Sequence, residues 1–437
     1  MTLRLNVEKL VTRIQQFDGF QTAGPLISVN GQTTARLSAA IGELCRIVSA
    51  DGTTILAEVI GFDDKFAQIM PLRSVEGIKQ GATVVGLGRQ FRIPVGKKLL
   101  GRVIDTLGNP IDGGNPIHTT HWIPILRDAP APMSRTPITQ RFETGIRAID
   151  GMLTMGLGQR MGVFSGGGVG KSTMLGEIAK HAASDVNVVA LIGERGREVE
   201  PFVTRCLGKE GLARSVVIVS TADNMPLMRI RAAQNAVAIA DWFRQQGLNV
   251  LLMIDSITRL AIAQRELGTL LGEPPSARGY PPSTFQLLSS LLEQLGPADK
   301  GSITGIITVL VDGDDMNEPI ADAVRATLDG HIVLSRKLAD RGHFPAIDVN
   351  GSISRLFQDI TDPQQQQAAV QIRGEMATYQ EVVDLLRIGA YKPGTSTKVD
   401  RAIQANVAIE TFLRQETGTR STSAETWAMM QAITNRN

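Results

Sequence analysis

The sequence predicts an α/β fold in three parts: a small N-terminal β-barrel, a mostly parallel sheet covered by helices, and a closing helical domain. Three changes of texture carry that prediction. Over residues 27–93 short apolar runs are broken by Gly, Asp and Asn. Over residues 144–355 strand-like apolar runs alternate with helical stretches, and after Asp362 the strand-like runs stop. At 437 residues the chain exceeds one ordinary core, so two or three domains are expected.

At the amino terminus, Val7, Leu10, Val11, Ile14 and Phe17 recur at helical spacing. They predict a short amphipathic helix, packed on its own domain or docked on a partner or a membrane surface. The segment has no long apolar core and no small-residue cleavage site, so it does not read as a secretory signal. Runs such as Leu56-Ala-Glu-Val-Ile-Gly61 and Ala82-Thr-Val-Val-Gly-Leu87 follow at close spacing, the pattern of a small barrel or sandwich. Residues 105–137, rich in Pro, Gly, Asn and Thr, read as a connector. Strands are then expected at 160–164, 187–192, 215–220, 249–254, 303–311 and 331–334, with helices at 171–183 and 228–246 between them. This alternation is the mark of a parallel sheet with helical crossovers. Helices at 371–387 and 399–415 close the chain. The expected domains are therefore 1–95, 96–361 and 362–437.

Composition narrows the class. Apolar residues make up 43% and charged residues 20%, as in a globular protein that folds in water. A net charge of +2 gives no field that would favour nucleic acid as a partner. No run of eighteen apolar residues lacks a charge, so no membrane span is expected. The two cysteines, Cys45 and Cys206, make neither a disulfide framework nor a metal spacing; reduced thiols in a cytoplasmic protein are expected.

The chemistry is concentrated at Ser165-Gly166-Gly167-Gly168-Val169-Gly170-Lys171-Ser172-Thr173, between a predicted strand and a predicted helix. In that context glycines let successive backbone N–H groups turn toward phosphate oxygens, and the helix amino terminus adds a positive dipole end. Lys171 is placed to reach the outer phosphates of a nucleotide and Ser172 to ligate magnesium. Strictly, the motif asks for glycine where this chain has Ser165. The run 249–254 ends in Asp255, a carboxylate at the carboxyl edge of a buried strand, able to hold magnesium through water. Leu191-Ile-Gly-Glu-Arg195 ends another strand at the same edge. Glu194 there is either the group that polarises the attacking water or half of a surface pair with Arg195.

Together these segments resemble the flagellar and type III secretion export ATPases, relatives of the catalytic subunit of rotary ATP synthases. The likeness runs from about Gly42 to Gln415. It is most specific at Met253-Ile-Asp-Ser-Ile-Thr-Arg259, continuing through Ala263-Gln-Arg-Glu266 to Gly272-Glu-Pro-Pro-Ser-Ala-Arg-Gly-Tyr-Pro-Pro-Ser283, and is specific also at Gly193-Glu-Arg-Gly-Arg-Glu-Val199, at Arg341-Gly-His-Phe-Pro-Ala-Ile-Asp348 and at Ser352-Ile-Ser-Arg355. The resemblance implies a RecA-like core that hydrolyses ATP with magnesium. Lys171 and Ser172 would bind phosphate and metal, Glu194 would activate water, and Arg195 would lie near the terminal phosphate. Asp255 would stand on the metal side with Arg259 close by, and Phe344, with Tyr391 as a second candidate, would stack on adenine. Arg355 matches an arginine finger given to the neighbouring subunit. The loops 272–282 and 312–319 match segments facing the central hole of a ring. The family usually has Glu-Arg where this chain has Glu293-Gln294. The resemblance further implies a homohexamer, stalk and stator partners, chaperone–substrate complexes as clients, and an export gate at the inner membrane. A rotary synthase subunit, a hexameric RNA translocase and a non-catalytic nucleotide-binding subunit share the core. The segment 272–283, the absence of Trp and Tyr from residues 1–95, and Glu194 respectively argue against them.

Overall fold

The computed structural model describes residues 21–29, 33–63, 65–79, 81–311 and 315–435. The predicted amphipathic helix with Val7 to Phe17 lies outside these residues, as do 312–314 of the second loop. The chain divides into two compact units. One holds the described residues through Arg92 with Asn224–Met228 and Glu266–Pro274; the other holds Ile93–Asp223, Arg229–Arg265 and the remainder from Pro275.

In the first unit six antiparallel strands close a barrel in the order β1-β2-β5-β4-β3-β6. They are β1 (Ala23–Ser28), β2 (Thr33–Ala35), β3 (Glu43–Val48), β4 (Thr54–Asp63), β5 (Phe66–Pro71) and β6 (Thr83–Gln90). The two-residue period of a strand decides which side chains fill the barrel. On β3 Cys45 and Ile47 point inward with Arg46 exposed between them, and Ala57, Val59, Ile69 and Val84 complete the filling. Burial pushes the Cys45 thiol up to about 12, so it packs as a small apolar group.

The second unit is built on a nine-stranded sheet. Its strands are β7 (Arg102–Asp105), β8 (Arg160–Ser165), β9 (Val186–Glu194), β10 (Ser215–Thr221), β11 (Asn249–Asp255), β12 (Ser302–Leu310), β13 (Gly330–Leu334) and β14 (Ile347–Ser354). They lie in the order β14-β13-β8-β12-β11-β9-β10-β7, and Gly296–Pro297 pairs beside β12. All are parallel along this path except β14, which is antiparallel to β13. The central strands are buried almost throughout. That is why they read as unbroken apolar runs: helices cover both faces. The six predicted strands are present. β7 and β14 were not predicted, and β14 is interrupted by Asp348, Asn350, Gly351 and Ser352, which hide its period. The predicted connector also contributes His121–Pro124 to a two-stranded ribbon with Arg92–Val95.

The main helices are α1 (Lys171–His181), α2 (Pro226–Gln245), α3 (Ile257–Leu270), α4 (Pro282–Glu293), α5 (Pro319–Thr327), α6 (Pro363–Arg387), α7 (Thr397–Leu413) and α8 (Ser423–Thr434). Helices α6 to α8 share one core with the sheet, where Ile372, Ile409, Phe412 and Met430 meet Ile149 and Met152. A Cβ at Gly151 would stand 2.9 Å from the Phe412 ring, so only glycine permits that approach. Arg147 donates to the carbonyls of Phe412 and Arg414. A guanidinium there satisfies carbonyls freed at the end of α7 and complements the helix dipole. A capping box of Thr422 and Glu425 opens α8.

Candidate active site

The phosphate loop leaves β8 and enters α1 through Gly170, whose φ of +85° is open to glycine and costly for other residues. Gly168 is likewise left-handed, at φ +78°. Ser165 is not: it is the last residue of β8, its carbonyl accepting from the N–H of Val311, so the departure from the strict motif falls where the backbone is ordinary strand. Val169 is buried and anchors the loop, while Gly167, Gly168, Ser172 and Thr173 face outward.

Because β8, β12, β11 and β9 are parallel neighbours, their carboxyl ends bring Lys171, Asp255 and Glu194 together. The Lys171 ammonium is hydrogen-bonded to Asp255 Oδ1 and lies 3.9 Å from Glu194 Oε1. All three side chains are largely withdrawn from solvent. Burial raises the Glu194 carboxyl above the ordinary value of 4.5, and the Asp255 charge adds to the rise; Lys171 and Arg259 oppose it. Glu194 Oε1 is buried with no hydrogen-bond partner among the described residues. A carboxylate so placed can accept a proton from an incoming water. Gly193, at φ +67°, makes room for Arg259: a Cβ there would stand 2.8 Å from Arg259 Cβ.

A cavity of about 1070 Å³ continues from the loop. Its walls include Gly170 and Met174 on the phosphate side and Phe344, Arg414, Gln415 and Thr417 opposite. The Phe344 ring, 44% exposed, sits 3.3 Å from the position of a Cβ on Gly170, and the Phe344 carbonyl accepts from Gln415 N–H. An apolar ring at the edge of a cleft beside a phosphate loop is suited to stack on a planar base.

Other expected residues stand elsewhere. Tyr391 does not line the cavity; its hydroxyl is engaged at the start of α7 by Asp400 Oδ1 at 2.9 Å and the Ser396 carbonyl at 3.1 Å. Arg195 does not pair with Glu194 but lies 3.6 Å from Glu198 on an exposed turn, which removes the surface-pair reading of Glu194. Arg355 is far from Lys171. Its N–H bonds the Asp329 carbonyl, which is level with Arg160 at the start of β8, and its side chain donates to the Arg325 carbonyl. Gln294 turns back to the Ser290 carbonyl of its own helix, while Glu293 pairs with Arg160 at 2.9 Å and Arg135 at 3.3 Å. Residues the sequence did not mark include Gln415 and Arg414 on the cavity wall, and Thr308, which donates to Asp255 Oδ1 at 2.7 Å. A threonine inside an apolar strand gives no local signal.

Comparison with known proteins agrees with this geometry. Residues 145–354 match the ATP synthase alpha/beta family nucleotide-binding domain, 20–88 the beta-barrel domain of that family, and 361–432 the T3SS EscN ATPase C-terminal domain. The flagellum-specific ATP synthase of Bacillus subtilis is 45% identical over 98% of this chain and 99% of its own. The type 3 secretion system ATPase of Xanthomonas euvesicatoria is 45% identical over 95% and 93%. Among solved structures, the assembled ATPase EscN of the enteropathogenic E. coli type III secretion system superposes with a TM-score of 0.89 at 43% identity, covering 94% of this chain and 99% of that one. EscN has also been solved in complex with its central stalk EscO, with a TM-score of 0.87 to this chain. With barrel, phosphate loop and closing helices all matched, the chain belongs to the flagellar and type III secretion ATPases of the ATP synthase alpha/beta family.

Proposed function

We propose that the protein is a magnesium-dependent ATPase that works as a homohexameric ring and energises protein export through a flagellar or type III secretion machine. The observation that carries the reading is the junction of Lys171, Glu194 and Asp255 beyond a glycine loop. In it Lys171 leaves Asp255 for the phosphates of ATP, and Glu194, held partly protonation-prone by burial, takes the proton of the attacking water. Phe344 grips the base. Arg259 balances charge beside Glu194.

Among the described residues no three His, Cys, Asp or Glu side chains form a metal-holding group. That fits an ion arriving with the nucleotide: Ser172 and Asp255 offer hard oxygen donors, and phosphate and water supply the others. When bound, magnesium would neutralise charge on the phosphates.

The ring reading is supported by Arg355, which is remote from its own phosphate loop and free to serve a neighbour. Export would consist in releasing chaperones from their cargo, unfolding it and feeding an export gate. The stalk-bound form of EscN supports a stalk partner here as well. No helix among the described residues is long and apolar enough to cross a membrane. Functional domains are assigned to 1–95, 96–361 and 362–437.

Two variants test the chemistry. Lys171→Ala should abolish hydrolysis with the fold kept. Glu194→Gln should bind ATP yet turn over at least ~10²-fold more slowly, the lower range for a lost general base. Normal hydrolysis by either purified variant would remove the reading.

A further inference from the structure

Thr308 sits on β12, the strand between β8, which carries the phosphate loop, and β11, which ends in Asp255. It is fully buried. Its neighbours along the strand, Ile306, Ile307 and Val309, are buried and apolar, and valine would fill the same space. The hydroxyl therefore has a polar purpose. It has one proton and two acceptors in reach: Asp255 Oδ1 at 2.7 Å and the Ile254 carbonyl at 3.3 Å. The shorter contact and the charge both direct the proton to the carboxylate. Two residues on, the N–H of Leu310 donates to Thr258 Oγ1 at 2.9 Å, so β12 also pins the turn that follows Asp255.

Asp255 Oδ1 thus carries two donors, the Lys171 ammonium and the Thr308 hydroxyl. Only one of them belongs to a group that nucleotide would draw away. Once Lys171 turns to the phosphates, the carboxylate loses its cation and would be free to rotate about its side-chain bond. Thr308 is rigid, because its β-branch and its burial leave the hydroxyl one position. We infer that Thr308 is a positioning residue, holding the Asp255 carboxylate in the orientation that receives magnesium–nucleotide after Lys171 has left it. The inference rests on the proposed reading of the site as a magnesium-dependent ATPase. Groups behind metal-side carboxylates act in this way, and their loss typically weakens metal affinity about 10- to 100-fold.

The test uses the full chain and a fluorescent ATP analogue, titrated with magnesium and with EDTA, alongside thermal melts. The wild type should bind more tightly with magnesium. Thr308→Val and Thr308→Ala should lose about tenfold or more of that magnesium-dependent gain while binding equally well in EDTA. Thr308→Ser, which keeps the hydroxyl, should restore the gain. A full magnesium response in Thr308→Val, an equal loss with and without magnesium, or a loss in Thr308→Ser as large as in Thr308→Val would overturn the inference. Failure of both hydroxyl-free variants to fold, with Thr308→Ser folded, would assign Thr308 to the core and overturn it too. If the wild type itself shows no magnesium-dependent binding, the reading of the site fails before the role of Thr308 is reached.

Discussion

Arg355 provides the sharpest test of whether catalysis is shared between subunits. Its backbone is tied through Asp329 to Arg160, both links being 2.9 Å hydrogen bonds, so it stands beside the first residue of β8. The phosphate loop starts after Ser165, five strand residues further on, or about 16 Å at the usual rise of ~3.3 Å per residue. An extended arginine side chain spans only ~7 Å, so Arg355 does not touch the phosphates of its own chain. If it serves the next subunit, Arg355→Ala should reduce turnover by ~10³-fold or more, the usual worth of an arginine finger. Glu194→Gln is inactive for a different reason. When the two proteins exchange subunits in equal amounts, roughly one interface in four pairs an intact Glu194 with an intact Arg355. The mixture should then recover about a quarter of wild-type turnover if interfaces act independently, or less if they are coupled. Phosphate release is the assay, with native mass spectrometry to prove mixing. Mixed rings that stay inactive at every ratio would refute trans action.

Two further outcomes follow from the same site. Because burial raises the Glu194 carboxyl and the base must be ionised, activity should be lost as pH falls through a midpoint above 4.5. The acid limb of kcat/KM, which reports the free enzyme, measures it; a midpoint at or below 4.5 would contradict the burial argument. Gly193→Ala should cost about 1–2 kcal/mol of stability through its left-handed backbone. By pressing on Arg259 beside Glu194 it should also lower kcat/KM by on the order of 10²-fold, and steady-state rates equal to wild type would show that the contact is slack.

Much of this was legible because it is local in the chain. The phosphate loop declares itself in nine consecutive residues, and a buried parallel strand declares itself as an apolar run with Asp255 at its end. Glu194 was ambiguous in sequence because Arg195 follows it. Only the fold separates them, turning one toward Lys171 and the other to Glu198. Thr308 carried no signal, and Gly193 was seen only as part of a motif: their roles depend on which strand lies beside β11 and on how closely α3 approaches β9. Tyr391 was misplaced for the same kind of reason. An aromatic residue fits a base pocket by type, but the turn before α7 engages its hydroxyl with Asp400. β14 escaped because a sheet edge tolerates polar residues that a central strand excludes.

The cavity beside the phosphate loop is a seam. Its phosphate side comes from α1, and its far wall comes from Phe344 and the stretch after α7, clamped by Arg147 and by Gln415, whose amide bonds the Gly145 carbonyl. The junction of Lys171, Glu194, Asp255 and Thr308 is by contrast encoded in one uninterrupted block. Inheritance can therefore treat the two ends differently. An exchange of C-terminal segments among relatives would carry Arg414 and Gln415 along with the helices α6 to α8, leaving Phe344 and the phosphate loop behind with the sheet.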